Sequence, residues 1–182
     1  MENDVIDLVD DVTIRQFLSF NLSADLYAVE VRDVREVIGV IDITRVPRMP
    51  EFMLGVINLR GSVVPVIDLR LKFGMVKGEV TVDSCIIIME SRNDDEMTLV
   101  GALVDSVREV IDLRAEQIEP TPRMGKVSKA EYIQGVGKAD EGFLILLEIN
   151  KIFRADEIDP SWHEKSSASG QSPRTQMIGS EK

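Results

Sequence analysis

The chain has one cysteine, one histidine, one tryptophan and two tyrosines in 182 residues, and its apolar runs are short. A single cysteine cannot close an internal disulfide. Cys85 stands inside the apolar run at residues 85–89, the setting of a buried, inert thiol, so a reducing cytoplasm is the expected compartment. The only histidine, His163, lies in a polar, Ser-rich stretch near the end of the sequence. With one His and one Cys, neither a nucleophile–base pair nor a His/Cys zinc site can be assembled. No run approaches the roughly 20 apolar residues of a spanning helix, so no direct membrane insertion is expected. Basic residues are also scarce: 21 Lys and Arg stand against 32 Asp and Glu, a net charge of -11 with pI near 4.6. Nothing is left over to replace the counterions of a polyphosphate, which excludes nucleic acid as an expected partner. Residues 1–11 carry five acidic side chains and no basic one, the reverse of a secretory signal, so export is not expected.

Other chemistry is equally short of parts. The pairs Asp10-Asp11 and Asp94-Asp95 lack calcium-loop spacing and read as solvated loop charge. Gly135-Val136-Gly137 lacks the third Gly and the Lys-Ser/Thr ending of a phosphate loop, and reads as a tight turn. Asp68, Asp105 and Glu148 sit near strand ends, where carboxylates can do acid–base work, but nothing in the sequence pairs them. Their ordinary role is as edge charges or turn acceptors, and the chain is not expected to be an enzyme.

What the sequence does contain is a repeat. Val31 to Ile38 reads VRDVREVI and Val104 to Ile111 reads VDSVREVI, six identities in eight at an offset of 73. The same offset carries Pro47 onto Pro120. Farther on, Gly55-Val56 matches Gly135-Val136 at an offset of 80, and GSVVPVIDLRLKF matches EGFLILLEINKIF in apolar placement, Phe73 against Phe153. Seven additional residues therefore enter the second copy between Pro120 and Gly135, where Ser128 and its followers suit a short helix.

Most of the rest has strand character. Leu18, Phe20 and Leu22 alternate with Ser19 and Asn21; Tyr27, Val29 and Val31 alternate likewise; residues 63–69 and 143–149 are β-branched or apolar runs. Strands this short, in two copies of about five, favour closed barrels over one open sheet, because closure removes exposed edges. Val31, Val34 and Val37, like Val104, Val107 and Val110, are spaced by three, as on a turn of helix leaving a strand. Residues 150–158 suit a short C-terminal helix with Ile152, Phe153 and Ile158 facing a barrel. Beyond Pro160 the polar, Ser-rich sequence has no periodicity and is expected to be a flexible tail.

Where the copies disagree, one of them has its own task. Residues 57–61 read INLRG in the first copy, against GKADEG in the second, so Arg60 has no basic counterpart. One cation in an apolar rim of Val56, Ile57 and Leu59 is the composition of a protein interface, and equally of a hairpin turn with a solvated Arg.

GVINLRGSVVPVIDLRLKFG, with VDSVREVIDLRAEQIEP and YAVEVRDVREVI, strongly resembles the CheW family of chemotaxis coupling proteins, over roughly residues 15–153. The resemblance implies a mainly all-β fold of two intertwined five-stranded SH3-like barrels with short helices, at residues 15–154, the second copy running from roughly 80. An acidic segment, 1–14, would precede it and the tail, 155–182, would follow. It implies a cytoplasmic, non-enzymatic adaptor without cofactor, recruited to membrane-associated arrays. Its partners would be the cytoplasmic tip of a methyl-accepting chemoreceptor and the regulatory domain of the histidine kinase CheA. Carried over by motif, Val34, Glu36, Gly55, Arg60, Val107 and Val110 would face the receptor along a groove between barrels. Ile43, Thr44, Val46 and Met53 would face the kinase, and a second kinase contact would use the loop containing Glu119 and Met124. That loop departs from the family pattern in having acidic Glu119 where a basic residue can stand.

Overall fold

The computed structural model describes residues 13–121, 131–140 and 142–154. It contains eleven strands: β1 (Ile14–Leu22), β2 (Asp25–Glu30), β3 (Val34–Gly39), β4 (Met53–Leu59), β5 (Ser62–Asp68), β6 (Cys85–Asn93), β7 (Glu96–Val104), β8 (Ser106–Arg114), β9 (Ile118–Glu119), β10 (Ile133–Ala139) and β11 (Gly142–Leu147). Two one-turn helices, α1 (Leu69–Lys72) and α2 (Ile149–Ile152), follow β5 and β11.

One sheet has the order β8-β1-β2-β11-β10-β9 and the other β3-β6-β7-β5-β4. The repeat exchanges the two. Replacing β3, β6, β7, β5 and β4 by β8, β1, β2, β11 and β10 converts the second order into the first, with the two-residue β9 added at its edge. Each copy therefore lends its first hairpin, β1–β2 or β6–β7, to the strands of the other copy. The result is two intertwined SH3-like barrels, here called barrel one (β3–β7) and barrel two (β1, β2 and β8–β11).

This exchange explains why the hairpin strands are apolar on both faces. Phe17 and Ala28 point into barrel two with Leu113, Leu144 and Leu146. Ile86 and Ile88 point into barrel one with Ile57, Val64 and Val66. The opposite faces, carrying Leu18, Phe20, Tyr27, Val29, Ile87, Met89, Val100 and Ala102, merge in a third and larger core between the barrels. The unbroken run at 85–89 is thus a strand buried twice, as strands covered on both faces are. Cys85, at its start, is only half-buried, with its thiol donating to the Asp83 carbonyl at 3.4 Å. Between Phe52 and Tyr132, rings from equivalent places in the two copies, stands the Lys72 ammonium, 4.3 and 5.4 Å from their centroids.

The spacing by three has a different cause from a helix. Val31–Asp33 is a 3-10 turn, but Val34 and Val37 both lie in β3, where a bulge between Val34 and Glu36 inserts one residue. The extra residue puts Val34 opposite Met89 and Val37 opposite Ile87, on one face. The same bulge recurs in β8, where Val107 pairs Phe20 and Val110 pairs Leu18. Ser19, fully buried, pins it: its hydroxyl donates to the Glu109 carbonyl at 2.7 Å and accepts from the Glu109 amide at 3.1 Å.

The seven additional residues of the second copy are not one insertion. Thr44 bridges Val56 while Glu119 pairs with Val136, so Thr44 and Glu119 are equivalent, at an offset of 75. Two residues enter before this point, around the 3-10 turn Ala115–Gln117, and five after it. At 75 the sequence VPRM of residues 46–49 aligns with TPRM of 121–124, which corrects the pairing of Pro47 with Pro120 to Pro122. The C-terminal helix is shorter than expected, one turn with Ile152 and Phe153 buried at 1% exposure. Ile158, the helix expected at Ser128, the acidic segment up to residue 12 and the tail lie outside the described residues.

Candidate functional site

The two-residue turn between β4 and β5 consists of Arg60 and Gly61 at φ of 49° and 88°, both in the left-handed region. This is the backbone of a hairpin turn whose twist matches its strands. The Gly61 amide donates to Asn58 Oδ1 at 2.8 Å, fixing the loop. Arg60 is thereby held at the tip, its side chain 73% exposed, and donates Nη2 to Glu36 Oε1 on β3. Since β3 and β4 are the two ends of one sheet order, this ion pair spans the seam where barrel one closes.

Beside that pair the free edges of β3 and β8 occupy equivalent places in the repeat. Val34 and Val107 are half-buried against the same inter-barrel core. Val37 and Val110 are exposed at 40% and 51%. Val34, Glu36, Val107 and Val110 thus fall on the edge strands β3 and β8, and Arg60 on a hairpin tip. Gly55 is different: it is buried, at φ 144°, and a Cβ there would overlap the carbonyl of Thr44. Its part is to let the Thr44 segment pair with β4, through Thr44 N to Val56 O at 2.9 Å and Val56 N to Thr44 O at 2.8 Å. Gly135 does the same in barrel two, under the Glu119 carbonyl.

Of the kinase-facing expectations, Thr44 is exposed and Ile43 and Val46 are half-buried at the surface of barrel one. Met53 is a core residue, 7% exposed, so its side chain supports that face from below. Glu119 is exposed and pairs with Lys138 at 2.6 Å. Met124 lies outside the described residues.

Of the carboxylates considered for catalysis, Asp68 and Asp105 have structural partners and Glu148 is placed by its backbone. Asp68 caps α1, accepting from the amides of Arg70 and Leu71 at 2.9 and 3.3 Å, and its burial pushes the carboxyl above its ordinary value despite those bonds. Asp105 accepts both arms of Arg70 and the Ser23 amide at 2.7 Å. Glu148 begins α2 with its amide donating to the Tyr132 carbonyl at 2.8 Å. Sequence reasoning missed two anchors, Arg70–Asp105 and the nearly buried Glu30 between Arg15 and Arg32. Arg70 and Asp105 stand far apart along the chain, as do Arg15 and Glu30, and the nearby Arg32 does not by itself mark Glu30 as buried. Among the described residues no group of three or more His, Cys, Asp or Glu could hold a metal, and no helix is long and apolar enough to cross a membrane.

Two barrels fused by strand exchange, with free edge strands flanking an ion-paired hairpin tip, define a binding module of the SH3-like kind. The chain belongs to the CheW family: the family model described as a CheW-like domain matches residues 16–157. It is similar to the chemotaxis protein CheW of Klebsiella aerogenes, 35% identical over 144 residues, which cover 79% of this chain and 84% of that protein. The chemotaxis protein CheW of Thermotoga maritima is 36% identical over 148 residues, 80% of this chain and 91% of that one. Among solved structures, scaffolding protein TtCheW from Thermoanaerobacter tengcongensis superposes with a TM-score of 0.70 at 34% identity, covering 80% of this chain and 96% of that one. The chain is thus a member of a family of chemotaxis scaffold proteins.

Proposed function

We propose that this protein is a non-enzymatic adaptor that couples methyl-accepting chemoreceptors to the histidine kinase CheA. It would work in the cytoplasm, at membrane-associated arrays, without a cofactor. The observation that carries the reading is the Arg60–Glu36 pair on the rim of barrel one, beside an edge strand whose Val34 reaches the inter-barrel core. A helical receptor tip lays an apolar stripe along Val34, Val107 and Val110, and the charges of Arg60 and Glu36 set its register. Gly55 acts indirectly, by seating the Thr44 segment.

The kinase docks on the other face of barrel one, at Ile43, Thr44 and Val46 over Met53, and a second contact uses the Glu119–Met124 loop. Holding both partners raises the effective concentration of kinase at the receptor and passes small shifts between packed interfaces. The test is affinity capture from the native cell, probed for a receptor and a histidine kinase, with Arg60→Glu alongside. Recovery of both by the parent chain and selective loss of the receptor in the variant is the expected result. Loss of both, or of neither, contradicts the assignment of Arg60.

A further inference from the structure

The repeat provides every feature of barrel one with a counterpart in barrel two, so a difference between counterparts isolates something that only one barrel does. The seam is such a place. Glu36 corresponds to Glu109 at the offset of 73, and Arg60 to Asp140 at the offset of 80. In barrel one the seam between the edge strand and the hairpin tip is spanned by a guanidinium on a carboxylate. In barrel two the same two positions carry carboxylates, and the seam is an open cleft of about 250 Å³.

The cleft has a mixed lining. Glu109 and Asp112 come from β8 and Asp140 from the β10–β11 tip, while Leu26 and Ile111 line it above the fully buried Leu113. Its one lining cation among the described residues, Lys138, is engaged at 2.6 Å by Glu119. Asp112 also accepts from Gln16 Nε2 at 3.1 Å. Carboxylates on two sides of a cleft with an apolar floor match a cation borne on an aliphatic stem, which a free metal ion does not supply. The independent observation is barrel one itself, where the residue equivalent to Glu109 already holds an arginine side chain.

We propose that the barrel-two seam is a docking cleft for a protein partner that inserts an arginine. The stem would lie on Leu26 and Ile111 and the guanidinium between Glu109 and Asp140, supplying in trans the cation that Arg60 supplies in cis. Arginine fits better than lysine because its planar fork can meet two carboxylates at once. None of the lining residues is among those assigned above to receptor and kinase, although Val110 lies between Glu109 and Ile111 on β8 and Glu119 pairs with Lys138. The proposal does not depend on that assignment.

The test is an amide-resolved NMR titration of the full chain with the blocked tripeptide acetyl-Leu-Arg-Leu-amide, against the same peptide with citrulline in place of Arg. Citrulline keeps the shape and removes the charge. The expected result is a saturable shift confined to residues 109–113 and 138–140 with the arginine peptide, at least about fivefold weaker in Glu109→Gln/Asp140→Asn. Asp140→Arg should close the cleft on Glu109, leave the thermal midpoint nearly unchanged and abolish the response. An equal response to citrulline, no saturable response at millimolar peptide, or full peptide binding by Asp140→Arg would each overturn the proposal. Sedimentation supplies a further arm: self-association removed by Asp140→Arg would assign the cleft to a second copy and also overturn it.

Discussion

Arg70 grips Asp105 with both arms of its guanidinium, Nε reaching Oδ1 at 2.7 Å, and so ties α1 to the junction of β7 and β8. Both side chains are largely shielded, at 21% and 26% exposure, and the pair raises the Arg70 pKa further. The linker between α1 and β6 passes directly over it, since a Cβ on Gly78 would strike the Arg70 guanidinium.

Because a shielded two-armed pair is stronger than a surface one, Arg70→Met should destabilise the protein by about 2 kcal/mol. For a domain of this size that lowers the thermal midpoint by roughly 4–8 °C. Calorimetry checks it; a change within about 1 °C would show that the pair contributes as little as an exposed one.

Gly55→Ala should cost at least about 2 kcal/mol, because the new Cβ meets the Thr44 carbonyl and the residue sits at a φ reserved for glycine. Gly135→Ala should cost less, having the close contact without the positive φ. Urea unfolding of the two variants ranks them, and Gly55→Ala should weaken receptor and kinase binding alike, since it acts through the fold.

Arg60→Glu places an acid opposite Glu36 at an exposed tip and should leave the midpoint nearly unchanged. Receptor binding should fall by at least about 2 kcal/mol, roughly thirtyfold, with kinase binding kept. Calorimetric titration with each partner separates the two effects.

Asp68 predicts a pH dependence. Burial holds its folded-state pKa above the unfolded value, so protonation favours the folded chain. The stability it contributes is fully present below the unfolded value near 4 and is lost as pH rises through the folded value. Asp68→Asn keeps an acceptor for the α1 amides and removes the charge. The parent should therefore gain stability relative to Asp68→Asn on acidification from pH 7 to below 4, whereas Asp68→Ala should lose about 1 kcal/mol of capping at both ends of the range. Urea titrations at stepped pH decide it, and a parent that loses ground on acidification would reverse the sign.

Much of this fold is legible in the residues. VRDVREVI against VDSVREVI announces two copies, and the alternation of Leu18, Phe20 and Leu22 announces strands. The bulges were not legible as such. Valines three apart fit a helix as well as a strand with one inserted residue, and only pairing partners such as Met89 and Ile87 tell them apart. The offset of 75 was hidden for the same reason, because Pro120 and Pro122 both answer Pro47 until the Thr44 and Glu119 pairings select one. Met53 reads as any apolar residue beside a loop, and its burial depends on distant strands.

Local order along the chain determined the duplication, the strands and the shortage of catalytic side chains, since these depend on residue type and near neighbours, whereas Gly135-Val136-Gly137, read as a tight turn, lies within β10. Tertiary structure alone decided which hairpin joins which barrel, that Arg60 meets Glu36, and that Glu109 and Asp140 face an open cleft without an equivalent cation among the described residues. Those relations join residues 24 or more positions apart, and nothing in a linear pattern encodes which distant edges come together when two barrels exchange strands.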